Sequence, residues 1–366
     1  MCVLAENKGV PRVTFGMIVL NGEPFTRYNL RSIYPWAHQI IVVEGACQAA
    51  AAVADPLGHS TDGTLDVLRR FQAEEDPDRK LTIVTAEDEG HPDGFWPSEK
   101  HEMSQAYAKR ASGNYLWQVD VDEFYREEDM PRIVALLQTG VTQISFPILQ
   151  FWGGIGFREN GEFLSVHFTE IHRLFAWGKG YRYATHRPPT VLDENGNDVR
   201  RQKWMSAAEM RFLKTFMFHY CMLLPKQVRQ KCSYYSRVDW AAFDKMEAWA
   251  ENAYFKFRTP FAVCDVLHVP LSWLEEYRGP HPTQILKMIE DIRAGLHPGI
   301  ELRPTEDILR VIRGPQYRFG RFLRRAWVGF LPVRNALWRR LARLRRELVG
   351  LKERPGRCPS GESKKT

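Results

Sequence analysis

Short apolar runs alternate with amphipathic stretches over the first 125 residues of the chain. Runs rich in β-branched and aromatic residues are typical of buried strands. The chain has four such runs, at Val13–Leu20, Gln39–Val43, Leu81–Val84 and Tyr115–Val119. Helices are predicted between them, from Pro24 to Ile33, after the capping sequence Ser60–Thr64, and from Ser98 to about Ala111. This alternation predicts a three-layer α/β/α sandwich with a mostly parallel central sheet.

The pattern is less regular after Tyr125. It predicts a helix over Met130–Gln138, a long strand over Thr142–Trp152, and helices over Gln227–Asn252 and near Ile285–Ala294. An alanine-rich stretch over residues 46–58 has no clear period and predicts an inserted loop or short helix. We therefore expect a main domain over residues 1–225, a helical region over 226–312, a basic helical segment over 313–354 and a flexible tail over 355–366.

Two carboxylates follow the fourth predicted strand, at Asp120 and Asp122. Side chains alternate along extended backbone, so the two would point to the same side if the extension continues. Neighbouring carboxylates repel each other unless a cation lies beside them. Ligands of open α/β sheets bind at the carboxyl ends of the strands. The spacing favours a site for a divalent metal and a phosphate, and an ordinary acidic loop is the alternative.

Positive charge is concentrated near the C-terminus. The net charge is +7, and residues 310–354 hold 14 Lys or Arg against two acids, a balance of +12 that leaves −5 elsewhere. One helical face of this segment has Leu337, Leu341, Leu344 and Leu348, and the remainder has Arg339, Arg340, Arg343 and Arg346. With Trp327, Phe330 and Trp338 this predicts a helix lying on an anionic membrane. A solvated helix packed on the body and a nucleic-acid patch are the alternatives.

The remaining composition indicates a cytosolic protein. The six cysteines are scattered without a Cys-x-x-Cys pair, which argues against a zinc module or a disulfide scaffold. Residues 1–11 lack the apolar region of a signal peptide, and no apolar run is long enough to span a membrane. Neither a dinucleotide-binding glycine motif nor a phosphate-binding loop with its lysine follows the first strand.

The order of these motifs resembles family-2 glycosyltransferases of the GT-A fold. The matching stretches are Met17–Asn21, Ile40–Glu44, Ser60–Thr64 and Asp120–Glu123, and later His172–Phe175, Tyr183–His186 and Phe218–Tyr220 with Lys231 and Tyr234. The resemblance implies a GT-A catalytic domain over 1–225, with a nucleotide-sugar half over about 11–125 and an acceptor half over about 126–225. It also implies a metal-dependent, inverting transfer in the assembly of a surface glycan.

The resemblance gives roles to individual residues. It implies metal ligands at Asp120, Asp122 and His219, and donor contacts from Glu44 and Asp120. Their positions make Asn21, Glu23, Asp62 and Lys100 further candidates for donor contacts. An inverting transfer also needs a base, for which Glu170 is the first candidate and His186 the second. Mn²⁺ or Mg²⁺ would stabilise the departing diphosphate, and carboxylate oxygens are suitable ligands for both ions. The expected partners are a UDP-, GDP- or dTDP-sugar, a glycan or lipid-linked acceptor, and the inner face of the cell membrane through 313–354. No nucleic-acid partner is expected.

The sequence departs from the family at three places. Glu44 stands where an aspartate is usual, about a dozen residues separate it from the next motif, and Arg187 follows His186 where glutamate is common. Asp62 could instead cap a helix, Lys100 and Lys109 could face solvent, and His219 could be a core residue. Asp193 and Glu209 are further candidates for the base. A degenerate GT-A scaffold and a nucleotidyltransferase are the alternative functions.

Overall fold

Two β-sheets that meet beside the fourth strand form the framework of the protein. The computed structural model describes residues 10–98, 100–167, 170–235, 246–264 and 271–331. The strands are β1 (Val13–Val19), β2 (Gln39–Glu44), β3 (Leu81–Val84), β4 (Tyr115–Asp120), β5 (Glu123–Phe124), β6 (Gln143–Phe146), β7 (Ile148–Trp152), β8 (Phe157–Gly161), β9 (Ile171–Ala176), β10 (Arg182–His186), β11 (Pro189–Leu192), β12 (Trp204–Met205), β13 (Met217–Met222) and β14 (Ser272–Glu276). The helices are α1 (Phe25–Ile33), α2 (Thr64–Glu74), α3 (His101–Ala108), α4 (Met130–Gln138), α5 (Ala207–Phe212), α6 (Pro225–Tyr235), α7 (Met246–Trp249), α8 (Thr283–Arg293), α9 (Glu306–Arg313) and α10 over residues 315–331.

The central sheet has the strand order β12-β6-β9-β4-β1-β2-β3. Strands β1 to β4 pair in parallel, while β9 runs antiparallel between β4 and β6. Alternate residues of β1, β2 and β4 pack on opposite faces, against α1, α2 and α4 on one face and against α3 on the other. The predicted three-layer arrangement with a mostly parallel sheet is therefore confirmed.

The second sheet has the order β14-β8-β7-β13-β5. Only β7 and β13 pair in parallel among its strands. Along the chain, the first strand of this second sheet is β5, which starts three residues after β4 ends. The chain therefore passes from the central sheet to the second sheet within the segment that contains both candidate metal-binding aspartates.

The long strand predicted over Thr142–Trp152 is two strands in different sheets. The break falls at Pro147, which lies between β6 of the central sheet and β7 of the second sheet. Proline has no amide hydrogen to give to a neighbouring strand, so it ends the pairing of a central strand. The carbonyl oxygen of Pro147 still accepts from the amide of Met217, which brings β13 beside β7.

The region over residues 226–312 is not wholly helical, since β14 lies within it and pairs with β8. The helix predicted over Gln227–Asn252 is also interrupted. Here α6 ends at Tyr235, and α7 continues as a π-helix over Ala250–Phe255, with residues 236–245 outside the described residues. The alanine-rich stretch contains a short 3₁₀ helix, Gln48–Val53, in agreement with the prediction.

The described chain ends in α10. Tyr317, Val328 and Leu331 of this helix are buried in a cluster with Trp152 and Tyr254. No helix within the described ranges is both long enough and apolar enough to cross a membrane. The rest of the basic segment, 332–354, and the tail 355–366 lie outside the described residues.

Candidate active site

Asp120 and Asp122 lie at the junction of the two sheets. Asp120 is the last residue of β4, and Glu123 is the first residue of β5. The side-chain amide of Asn29 on α1 holds the intervening turn, since it donates to the carbonyl oxygens of Val121 at 3.0 Å and Glu123 at 2.8 Å. The predicted strand extension therefore ends at Asp120, because the next two residues form a turn.

Arg173 on β9 links two acidic side chains of this junction. Its Nη2 lies 3.2 Å from Asp120 Oδ2, and its Nε donates to Glu123 Oε2 at 2.8 Å. Burial alone would raise the pKa of Asp120, but Arg173 and then Lys100 outweigh it and hold that pKa below its ordinary range. Burial raises the pKa of Glu123, which is 1% exposed. One guanidinium thus compensates part of a double negative charge.

Asp122 has a different set of partners. Lys231 Nζ lies 3.0 Å from its Oδ2, and Gln227 Nε2 donates to the same oxygen at 3.1 Å. His219 Nε2 on β13 lies 3.5 Å from Oδ1. Burial opposes ionisation of this carboxyl group, but Lys231 and then His219 outweigh burial and lower its pKa well below the ordinary range. The two aspartates therefore contact different cationic groups.

The donor atoms around Asp122 fit a divalent metal that is also bound by phosphate. Cys221 and then Asp122 outweigh burial and raise the pKa of His219 well above its ordinary value, so its Nε2 could ligate an ion beside Asp122 Oδ1 only after losing its proton. Mg²⁺ commonly takes only one or two carboxylates and completes its shell with phosphate and water. Lys231 would have to leave Oδ2 or share it. In the described part of the chain, no three His, Cys, Asp or Glu side chains are grouped so as to hold an ion by themselves.

Asn21 and Glu44 fix the inserted stretch against the carboxyl ends of β1 and β2. The amide of Asn21 donates to Val53 O at 2.6 Å, and its Oδ1 accepts from the backbone of Thr61 at 2.8 Å. Glu44 is fully buried, and its two oxygens lie 2.8 Å from His59 Nδ1 and 2.8 Å from the backbone nitrogen of Ser60. Donor binding by Asn21 and Glu44 stays a prediction.

Glu23 and Asp62 lie together just beyond β1. Asp62 Oδ2 accepts from the backbone nitrogen of Glu23 at 2.9 Å, and its Oδ1 accepts from the hydroxyl of Thr64 at 2.6 Å. Burial, with a smaller contribution from Asp62, raises the pKa of Glu23 to about 7. Oε1 of Glu23 has no hydrogen-bond partner within the described ranges. Asp62 therefore braces the start of α2 while it also holds the backbone of Glu23.

His186 and Lys100 lie on the Asp120 side of the site. His186 Nδ1 is 2.7 Å from the hydroxyl of Ser104 on α3. Burial and then the charge of Lys100 lower the pKa of His186 to about 3, although Asp120 acts in the opposite sense. The imidazole is consequently neutral near pH 7, and in this arrangement it is a weak base.

The other base candidates have local contacts. Glu170 Oε2 accepts from the backbone nitrogen of Ala207 at the start of α5, and burial raises its pKa. Asp193 accepts from residues of its own turn, and Glu209 caps α5 through Ser206. Lys109, which was a candidate cation and not a base, is exposed and pairs with Glu89. None of these recorded contacts reaches Asp120 or Asp122.

Four residues of the candidate site have no role predicted from the sequence. Arg173 and Lys231 both lie in stretches that resemble the family, but the resemblance does not predict that they contact the aspartates. Glu123 ends the matching stretch Asp120–Glu123 but has no predicted role, and Gln227 lies outside every matching stretch. The only sequence signal for Gln227 is its spacing of four residues from Lys231, which puts both on one face of a helix.

Comparisons with solved structures give distant likenesses. The S. aureus TarS 1–349 complex with UDP-GlcNAc is 14% identical with a TM-score of 0.27, over 38% of this chain and 35% of that chain. Glucosyl-3-phosphoglycerate synthase from Mycobacterium tuberculosis, in complex with Mn²⁺, UDP and phosphoglyceric acid, is 18% identical with a TM-score of 0.26, over 39% of this chain and 43% of that chain. Its complex with glucosyl-3-phosphoglycerate, UDP and Mn²⁺ is 16% identical with a TM-score of 0.29, over 45% and 57%.

The chain spans between 35% and 57% of the length of these structures. At such TM-scores the likenesses carry no argument about the activity of this chain. No family model matches it. No curated protein matches it either.

Proposed function

We propose that the protein is a metal-dependent glycosyltransferase of the GT-A type. It would move a sugar, with inversion, from a UDP-, GDP- or dTDP-sugar to a glycan or lipid-linked acceptor in surface polysaccharide assembly. The observation that carries the proposal is the place of Asp120 and Asp122, at the carboxyl end of β4 where the central sheet gives way to the second sheet. A pair of carboxylates at that edge, of which Asp122 is buried and Asp120 half-buried, suits a metal and a diphosphate, since cationic groups lie around it.

Asp122 and His219 would hold the metal, with Asp120 close by. A bound Mn²⁺ or Mg²⁺ would supply Lewis-acid stabilisation of the departing diphosphate. Arg173 keeps Asp120 and Glu123 in place, and the charge of Lys100 acts on Asp120 from the start of α3. These residues would fix the donor phosphates beside the carboxyl end of β4.

The donor nucleoside would lie along the ends of β1 and β2, near Asn21, Glu23, Glu44 and Asp62. Their hydrogen bonds fix the side chains of Asn21, Glu44 and Asp62 at the ends of these strands. Among the base candidates, the charge of Asp120 acts on the pKa of His186, whereas Glu170 accepts from the backbone nitrogen of Ala207 at the start of α5. An acceptor hydroxyl would need a base with a higher pKa than His186 has in this arrangement.

Calorimetric titration of UDP, GDP and dTDP, with and without Mn²⁺, tests the proposal. We expect one nucleotide to bind in a Mn²⁺-dependent way, and Asp122→Asn to weaken that binding by at least about tenfold because a charged ligand is lost. Asp66→Asn, at an exposed position of α2, is the matched control. Absence of binding by all three nucleotides in folded protein would favour the scaffold alternative.

We also propose that the exposed face of α10 rests on an anionic membrane. Exposed side chains follow one another at helical spacing along this face, namely Phe319, Phe322, Leu323, Trp327 and Phe330, with exposures between 48% and 66%. Arg318 and Arg325 are exposed beside them, and residues 308–346 contain no acidic residue. Aromatic residues with flanking arginines are typical of helices that lie at a lipid headgroup boundary.

A further inference from the structure

Two adjacent faces of α6 have different surroundings. Val228 and Cys232, one turn apart, are buried in the cluster that also contains Trp152. Gln227 and Lys231, also one turn apart, both donate to the carboxylate of Asp122. The helix is thus anchored in the core by one pair and presents the other pair to the candidate metal ligand.

Further contacts hold α6 near the carboxyl end of β1, where the donor is proposed to bind. It packs against the 3₁₀ helix Gln48–Val53 of the inserted stretch. Lys226, at its first turn, acts electrostatically on Glu23 just beyond β1. Two lysines of α6 therefore lie near acidic groups that follow two neighbouring strands, β1 and β4. An anion bound at the carboxyl ends of these two strands would lie close to the same helix.

The pairing of Lys231 with Asp122 compensates the negative charge of a carboxylate that is largely buried. Asp122 is 7% exposed, and a carboxylate in such a place requires a counter-charge. A divalent ion at Asp122 Oδ1 would provide that counter-charge with one positive charge to spare, and it would repel an ammonium group held 3.0 Å from Oδ2 of the same carboxylate. The ion and Lys231 therefore cannot both be close partners of Asp122 at low cost.

We propose that Lys231 and the divalent metal are alternative partners of Asp122, and that Lys231 pairs with the diphosphate of the donor when the metal is bound. This inference rests on the proposed glycosyltransferase function. Without nucleotide, Lys231 would leave Asp122 and find no other anion to pair with. The ion therefore binds weakly when no nucleotide is present. With nucleotide, the diphosphate receives the ammonium group. Metal and nucleotide then favour each other's binding, and Lys231 is the residue that couples them.

Titration of the full-length protein with Mn²⁺ alone, followed by electron paramagnetic resonance of the free ion, tests the displacement step. We expect Lys231→Met to bind Mn²⁺ about tenfold more tightly than the wild type, since the competing charge is gone. Lys231→Arg should remain close to the wild type. Lys256→Met removes a lysine from an exposed ion pair with Glu251 and is the matched control.

Titration of UDP, GDP and dTDP at saturating Mn²⁺ tests the transfer step. For the nucleotide that binds the wild type, we expect Lys231→Met to weaken binding by about tenfold, and Lys231→Arg to retain most of it. Lys231→Gln keeps a hydrogen-bond donor near Asp122, and it replaces the methionine variant if thermal melting shows that variant to be unfolded.

The outcomes separate this inference from the function on which it rests. If Asp122→Asn abolishes Mn²⁺ binding while Lys231→Met leaves it unchanged or weaker, the exchange is wrong and the glycosyltransferase proposal stands. If Asp122→Asn changes neither Mn²⁺ nor nucleotide binding, the proposed function itself fails. Tighter Mn²⁺ binding together with weaker nucleotide binding in Lys231→Met supports both.

Discussion

Glu159 lies in β8 with 4% of its surface exposed, and Gln150 donates to its Oε2 at 2.7 Å. Its other oxygen has no partner within the described ranges. Burial raises the pKa of this carboxyl group from its ordinary value of 4.5 to about 7. The folded protein therefore holds the proton of Glu159 more tightly than the unfolded chain does. The stability gained from that proton is complete below pH 4.5 and is lost as the pH rises through 7.

Replacement of Glu159 by glutamine removes this titration. We expect Glu159→Gln to flatten the fall in the free energy of unfolding between about pH 5 and pH 8, and to raise stability at pH 8, because no buried charge has to form. Urea denaturation at a series of pH values measures the effect. Glu301→Gln, at an exposed position, should leave the slope unchanged. An unchanged slope in Glu159→Gln would show that this carboxyl group is already ionised or solvated.

Single residues differ in how far the sequence reveals them. Asp120 and Asp122 are candidates from the sequence because their spacing after an apolar run has a direct chemical meaning. The partners of these aspartates were not found, since Arg173 is 53 positions from Asp120 and Lys231 is 109 positions from Asp122. Contacts over such distances depend on which strands become neighbours. The alternation of apolar and polar residues does not contain that information.

At the scale of elements, β9 brings a basic side chain to the candidate site. It is antiparallel to both of its neighbours, β4 and β6, and it places Arg173 beside the end of β4. Burial opposes the charge of Arg173, but Glu123 and Asp120 outweigh it and raise its pKa well above the ordinary value. Loss of the guanidinium would leave the buried carboxylate of Glu123 and the half-buried one of Asp120 without this counter-charge.

We expect Arg173→Met to lower the free energy of unfolding at pH 7 by about 3–5 kcal/mol, the usual effect of breaking a buried ion pair. The loss should be smaller at pH 4, where protonation of the carboxyl groups removes part of the repulsion. Guanidinium chloride denaturation at both pH values provides the measurement. Arg182→Met changes an exposed arginine of β10 and is the matched control. Equal losses at the two pH values would mean that packing, and not charge, accounts for the effect.

Elements with a strong local period were predicted well. The ranges of β3 and α4 agree with the sequence prediction at both ends, because apolar periodicity and clear boundary residues coincide there. The order of the strands within the sheets was not predicted. The apolar residues of β6 and β7 read as one run, and only the sheet topology shows that Pro147 separates two sheets.

At the scale of the whole molecule, α10 lies against the body through one face and exposes aromatic residues on another. Arg324 stacks on Phe261 with its guanidinium carbon 3.7 Å from the ring centre, and Gly320 lies against the same ring. The exposed face is therefore held in a fixed orientation. A membrane bound to this face would meet the entire body of the protein in one orientation.

Sedimentation with phospholipid vesicles tests this orientation. We expect the full-length protein to bind vesicles with 30% anionic lipid and to bind neutral vesicles at least about tenfold more weakly, since each arginine near the surface contributes about 1 kcal/mol. The double variant Phe322→Glu/Trp327→Glu should lose most of the binding. Phe212→Glu, at an 87% exposed phenylalanine of α5, is the matched control.

Two results would contradict the membrane proposal. One is binding that persists unchanged in the double variant. The other is a failure of the folded wild-type protein to bind anionic vesicles, in which case residues 332–366 or a second copy of the chain would be the better occupants of the face.

The position of β9 has a consequence for synthesis of the chain. A ribosome completes β4 and both aspartates long before it makes Arg173, and it makes Lys231 later still. The central sheet cannot close between β4 and β6 until β9 arrives, after β7 and β8 of the second sheet have been made. A nascent chain that stops short of residue 231 therefore contains both acidic groups without their complete set of counter-charges. The two sheets that meet at Asp120 and Asp122 must therefore mature together, and neither sheet is expected to persist as an independent folding unit.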